Sequence, residues 1–180
     1  KTESALPHLF RAEYYVTYDR DLRMAKESIL KAMEYDDVCN WAQSCLDILM
    51  YETPDINNGE KLLEKCKPDI KDSSYYLMKS QINIELKDFE EANKLIEKSL
   101  TSGLNYDDYL INKSFIYLHE DANQKVLILL SKEISELAPG SGKEALIVNK
   151  ELANKRITGK INKIDVQNVV GRDKKGPASV

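Results

Sequence analysis

The segment SSYYLMKSQINIELKDFEEANKLIEKSL, which runs from Ser73 to Leu100, contains the clearest structural pattern in the chain. Its second half places apolar side chains three and four residues apart, the pattern of a helix with one buried face. Its first half has a similar spacing, and the polar pair Lys87-Asp88 between the halves predicts a tight turn. The segment therefore predicts a helical hairpin, and a single hairpin of this length needs neighbours to bury its apolar face.

The second helix of this hairpin recurs along the chain. Ala92–Ser99 aligns with two earlier segments, Gly59–Cys66 and Ala25–Ala32, and with one later segment, Val126–Glu133. The first aligned position is small or modest in size, and the fifth is always large and apolar. A regular period of about 34 residues with two helices per unit predicts an all-α fold built as a helical solenoid.

The spacing of these segments and the turn-to-helix sequence KDFEEA, which begins at Lys87, resemble the tetratricopeptide repeat (TPR) family. The resemblance covers residues 5–138 and is clearest in the third unit. Lys79 departs from the family pattern, because a large apolar residue usually stands there. The resemblance implies a right-handed α-α superhelix of about four TPR-like helical hairpins.

The predicted repeat domain spans residues 1–158. Its units lie near 5–36, 37–70, 73–103 and 106–138, and the second unit is expected to contain helices over 37–51 and 55–67. A ninth helix over 141–158 is expected to cap the last hairpin, because the terminal unit of a solenoid must be covered. Residues 159–180 are basic and polar, and we expect them to form a flexible tail.

The charge of the chain is unevenly distributed. Its net charge is −4, but residues 159–180 hold five basic and two acidic side chains, which leaves −7 on the remainder. An acidic body disfavours nucleic-acid binding, because phosphate recognition needs a concentrated positive face. No apolar run reaches the length that a membrane span needs.

The chain contains three cysteines, Cys39, Cys45 and Cys66. They cannot all pair with one another, and none belongs to a CxxC motif or a Cys/His cluster. We expect all three to be reduced thiols in the core of a cytoplasmic protein, and we expect no metal and no cofactor.

The sequence contains no constellation that predicts catalysis. His8 and His119 are the only histidines, and neither has a Cys or Ser partner at a recognisable spacing. The segment APGSGK over 138–143 lacks both the first Gly and the final Ser/Thr of a phosphate-binding loop. We therefore expect the protein not to be an enzyme.

In the TPR family, the first helix of each unit lines a concave surface. The small residues Ala12, Cys45, Ser80 and Ser114 align as the close-packing positions of these helices. The residues then predicted to face the groove and bind a partner are Leu46, Leu49, Leu77, Gln81, Ile84, Ile111, Phe115 and Leu118. A core location is the alternative, because first helices are flanked on two sides.

Together these features predict a non-catalytic scaffold or adaptor. It would bind a partner helix or an extended peptide in its concave groove, within a multiprotein complex. Apolar residues between Ile161 and Val170 would also allow self-association or docking through the tail. Two alternatives stay open. A peptide-sensing regulatory repeat would need convergent Asn, Gln and Arg side chains in the groove, and Gln81 is the one such residue among the predicted groove positions. An RNA-binding helical repeat is the other, and the acidic body disfavours it.

Overall fold

The computed structural model describes residues 4–136 and 141–159, and that part of the chain is helical without a strand, so the predicted all-α class is confirmed. Two compact units are present, one up to Asn105 and one from Tyr106 onward. The first contains α1 (Leu6–Tyr14), α2 (Leu22–Ala32), α3 (Ala42–Met50), α4 (Ile56–Cys66), α5 (Asp72–Glu85) and α6 (Phe89–Thr101), and the second contains α7 (Tyr106–His119), α8 (Asn123–Glu136) and α9 (Ser141–Ile157).

Helices α2, α4 and α6 each begin after an aspartate that caps their first turn. The capping carboxylates belong to Asp21, Asp55 and Asp88, and they accept the backbone N–H groups of Met24, Asn58 and Glu91 at 3.0 to 3.3 Å. Each bond satisfies a backbone donor that has no partner inside its helix. The caps are spaced like the sequence repeat, so the period seen in the sequence is also a period of local structure.

The turns before these helices repeat as well. Arg20 and Lys87 directly precede their capping residues in the left-handed conformation, and Asp121 has the same conformation shortly before α8, with φ between 52° and 62°. In the α3–α4 connection the left-handed residue is Glu52, three residues before the cap at Asp55. The second hairpin therefore has a longer and different turn from the other three.

Helices of the first unit pack as consecutive pairs. The pairs are α1 with α2, α3 with α4, and α5 with α6, and neighbouring pairs meet through α2–α3, α4–α5 and α3–α5. Gly59 allows the close approach of α3 and α4, because a Cβ there would lie 2.6 Å from Met50 Cε and 3.1 Å from Leu46 Cδ1. The small first position of the repeat is thus a close-packing position in this hairpin.

Cys39 and Cys66 are joined by a disulfide, so the prediction that all the cysteines are reduced is wrong for this pair. The two residues are 27 positions apart, a separation with no local sequence signature. Cys45 is a buried free thiol, and burial raises its pKa to about 12. The odd cysteine count therefore reflects one bridged pair and one core thiol.

The predicted helix over 37–51 is wrong over residues 37–41. A 3₁₀ helix spans Asp36–Trp41, and α3 begins only at Ala42. The Asp37 carboxylate accepts the backbone N–H of Ala5 at 2.9 Å and the hydroxyl of Ser4 at 2.6 Å. These two bonds and the disulfide anchor the segment in its tighter conformation.

In the second unit, α9 packs against both α7 and α8. Its contact with α7 includes a buried hydrogen bond in which Asn149 Nδ2 donates to Ser114 Oγ at 2.8 Å. The apolar core of this unit includes Leu110, Ile116, Leu130 and Leu146. Residues 160–180 of the predicted flexible tail and residues 138–140 of the segment over 138–143 lie outside the described residues.

Candidate functional site

The structure divides the eight predicted groove residues into two groups of four. Leu46, Leu49, Ile84 and Leu118 are at most 2% exposed, so they are core residues and the prediction that they face a groove is wrong. Leu77, Gln81, Ile111 and Phe115 are half-buried. That these four contact a partner stays a prediction.

Helix α5 is buried along two opposite faces, which explains the error at Ile84. One face includes Ile84 and Ser80, whose hydroxyl donates to the carbonyl of Ala92 in α6 at 3.0 Å. The opposite face includes Ile82, whose Cδ1 lies 3.8 Å from the position of a Cβ on Gly59 in α4. A step of four residues from Ser80 therefore stays within a buried face instead of reaching the surface.

One side of α5 between these two faces is partly accessible. We call this side the α5 strip, and it consists of Ser74, Leu77, Gln81 and Glu85, all half-buried. At about 100° of rotation per residue, the four side chains fall within an arc of about 80°. The strip has one apolar side chain, one hydroxyl, one amide and one carboxylate.

Gln81 links the strip to α3. The amide nitrogen of Gln43 donates to Gln81 Oε1 at 2.9 Å and to Asp47 Oδ1 at 2.9 Å. The first bond uses the carbonyl end of Gln81 and holds it toward α3. The amide nitrogen of Gln81 has no partner among the described residues, so two N–H donors of the strip are available.

Glu85 is the last residue of α5 and closes the strip. Burial raises the pKa of its carboxyl, and among the described residues no cation or hydrogen-bond donor pairs with it. The negative end of the helix dipole also disfavours a carboxylate at this position. Glu85 was not among the predicted site residues. It lies four positions after Gln81 and eight after Leu77, a spacing that places all three on the same side of a helix.

Helix α9 covers the side of α7 that carries Ser114 and Leu118. Besides the bond from Asn149 to Ser114, Arg156 Nη1 donates to the carbonyl of Leu118 at 2.6 Å. Leu118 is 1% exposed and lies on the side of α7 that α9 contacts, so the groove prediction failed there. The ninth helix therefore occupies a surface that the sequence had assigned to a partner.

Ile111 and Phe115 also have neighbours within their own unit. A Cβ on Gly142 of α9 would lie 3.9 Å from Ile111 Cδ1, and the centroid of the Phe115 ring lies 4.3 Å from that of His119. Burial, and secondarily the charge of Arg156, lowers the pKa of His119 to about 4, so this imidazole is neutral at pH 7. Both predicted contact residues thus help to pack the second unit.

Comparisons of the chain with models of protein families, with characterised proteins and with solved structures found no match. None of the described helices combines the length and the apolar character of a membrane span. Within the same residues, no group of three or more His, Cys, Asp or Glu side chains is arranged to hold a metal ion. The α5 strip is the candidate site on the basis of its geometry.

Proposed function

We propose that the protein is a non-catalytic scaffold or adaptor that binds a partner helix or an extended peptide along the α5 strip, as part of a multiprotein complex. The proposed architecture is a right-handed solenoid of four TPR-like hairpins, α1–α2, α3–α4, α5–α6 and α7–α8, with α9 as its cap. The recurring turn before the second helix and the α3–α5 contact support this arrangement.

The proposal rests on one observation: polar groups of the α5 strip lack hydrogen-bond and ion-pair partners among the described residues. Leu77 is only half-buried, and the same side of α5 carries an amide donor at Gln81 and a carboxylate at Glu85 that have no partners among the described residues. A partner that covers these groups must also bond to them, because a polar group left buried without a hydrogen bond is costly. A partner segment laid along the strip would bury Leu77 further and supply the missing partners of Gln81 and Glu85.

The apolar part of the strip is small, because Leu77 is its one apolar side chain. Completing the burial of Leu77 gains at most about 3 kcal/mol. Association itself costs about 4–15 kcal/mol in lost freedom. The hydrophobic term alone therefore does not give binding, and the polar groups of the strip must contribute to both affinity and specificity.

A cytoplasmic location stays a prediction, and the Cys39–Cys66 disulfide favours an oxidising compartment instead, since thiol pools in the cytosol keep most cysteines reduced. Alkylation of free thiols during lysis of the native source distinguishes the two locations. A single modified cysteine, Cys45, after denaturation would support the oxidising compartment, and three modified cysteines would support the cytoplasm.

The experiment for the proposed function compares Leu77→Glu with Leu86→Glu. Leu77 lies within α5 and Leu86 directly follows it, but Leu86 is 53% exposed and lies off the strip. Affinity capture from the native source, read by mass spectrometry, should lose a defined set of proteins with Leu77→Glu and retain it with Leu86→Glu. Equal capture by both variants, or unfolding of Leu77→Glu in circular dichroism, would contradict the proposal.

A further inference from the structure

The polar and charged groups of the α5 strip indicate which chemical groups its ligand should carry. Its polar groups include an amide donor at Gln81 and a carboxylate at Glu85, and both lie on the same side of the helix as Leu77. This side carries no basic residue, since its four members are Ser74, Leu77, Gln81 and Glu85. A ligand therefore meets an apolar contact toward one end of the strip and a negative charge at the other.

The position of Glu85 makes its charge unfavourable in the free protein. The side chain is half-buried, it stands at the carboxyl end of α5, and no described cation lies within ion-pairing distance. Some exposed carboxylates of this unit do have cationic partners, as Glu27 has in Arg23 and Glu90 has in Lys94. A charge that is partly desolvated and unpaired gains most from an incoming cation.

Resting on the proposed function, we propose that the partner segment carries a lysine or arginine side chain that pairs with Glu85, together with an apolar side chain that packs on Leu77. The two contact points are eight positions apart on α5, or about 12 Å along its axis. A helical partner would space its two anchor residues by about seven or eight positions, and an extended partner by about four. The net charge of −7 over residues 1–158 also attracts a cationic segment over a longer range.

The test selects peptides of about 16 residues, long enough to follow the strip as a helix, from a displayed random library on the full chain. Synthetic copies of the selected peptides are then measured by fluorescence anisotropy against Glu85→Gln, Leu77→Glu and Glu60→Gln. Glu60 is an exposed carboxylate on α4, so its substitution changes the net charge equally without touching the strip.

The selected peptides should be enriched in Lys or Arg at the spacing given above. Glu85→Gln should weaken them at least about tenfold, the scale of a lost partly buried ion pair, and Glu60→Gln should change affinity less than about twofold. Glu85→Gln should also melt no lower than the wild type, because it removes an unpaired charge from a helix carboxyl end. A purely structural role for Glu85 predicts a lower melting temperature.

The other outcomes separate the two proposals. Peptides that lose binding with Leu77→Glu but are insensitive to Glu85→Gln, or that weaken equally with both glutamine variants, would overturn the cation inference and leave the docking strip standing. If no peptides are selected, or if those selected bind Leu77→Glu like the wild type, the docking strip itself is wrong.

Discussion

The α3–α4 hairpin and the α5–α6 hairpin occupy consecutive places in the same unit but are held together differently. Helices α5 and α6 have 14 and 13 residues and meet across a short turn. Helices α3 and α4 have 9 and 11 residues, follow a 3₁₀ helix, and are joined by a longer loop. The hairpin with the weaker repeat signal is thus also the shorter and less regular one.

The bonds that hold the two hairpins also differ. In α5–α6, Ser99 Oγ donates to the carbonyl of Ser73 at 2.5 Å, a bond between two helices of the same hairpin. The α3–α4 hairpin is instead tied to what precedes it. The Cys39–Cys66 disulfide joins it to the 3₁₀ helix, and Lys26 of α2 donates to the backbone of its loop. The irregular hairpin is therefore bonded to residues that precede α3, whereas the regular hairpin has a buried hydrogen bond between its own two helices.

The largest change in stability is expected when the disulfide is removed. Replacing Cys39 and Cys66 with Ala opens a loop of about 28 residues, for which chain entropy predicts a loss of about 3–4 kcal/mol in the free energy of unfolding. Urea denaturation without reductant measures this loss. Reductant should lower the stability of the wild type by a similar amount and leave the double variant unchanged.

Cys45→Ala is the matched control, because it removes a buried thiol that forms no bridge. It should cost about 1 kcal/mol through lost packing. A double variant that loses no more than Cys45→Ala would show that the disulfide does not hold the second hairpin.

The sequence predicted the all-α class because the second helices carry one regular apolar face, and Ile29, Leu63 and Ile96 recur in it. It did not predict which first-helix residues face solvent. Helix α5 has two buried faces, so Ile84 and Leu77 look alike in an apolar pattern although only Ile84 is in the core. The disulfide and the contact of α9 with Leu118 join residues that are far apart in the chain, so no local sequence pattern predicts them.

A smaller effect is expected from the lysine that holds the α3–α4 loop. Lys26 Nζ donates to the carbonyls of Tyr51, at 3.1 Å, and of Thr53. Lys26→Met keeps the aliphatic stem but removes these charge-assisted bonds, and it should lower the free energy of unfolding by about 1–2 kcal/mol.

Lys31→Met on the same helix is the control, since Lys31 is exposed and surface substitutions usually change stability by less than about 0.5 kcal/mol. Chemical denaturation of both variants measures the difference. Equal effects of the two substitutions would mean that the Lys26 bonds do not stabilise the loop.

The smallest effect belongs to the regular hairpin. Ser99→Ala removes one buried hydroxyl that donates to the Ser73 carbonyl, and it should lower stability by about 1 kcal/mol. The same carbonyl can keep a bond within its own helix, so the loss stays below that of the disulfide. Chemical denaturation of Ser99→Ala and of the control Ser74→Ala measures it. A loss above about 3 kcal/mol, the range of a disulfide, would mean that this hairpin depends on single bonds as strongly as its neighbour does.

The most direct test of the central claim, that a partner lies along the α5 strip, is site-specific photocrosslinking in the native source. A photoreactive amino acid replaces Leu77 in one variant and Leu86, which directly follows the same helix but lies off the strip, in the other. If a partner lies along the strip, a discrete crosslinked product forms at position 77 and is absent at position 86. Products at position 86 without any at position 77 would contradict this claim.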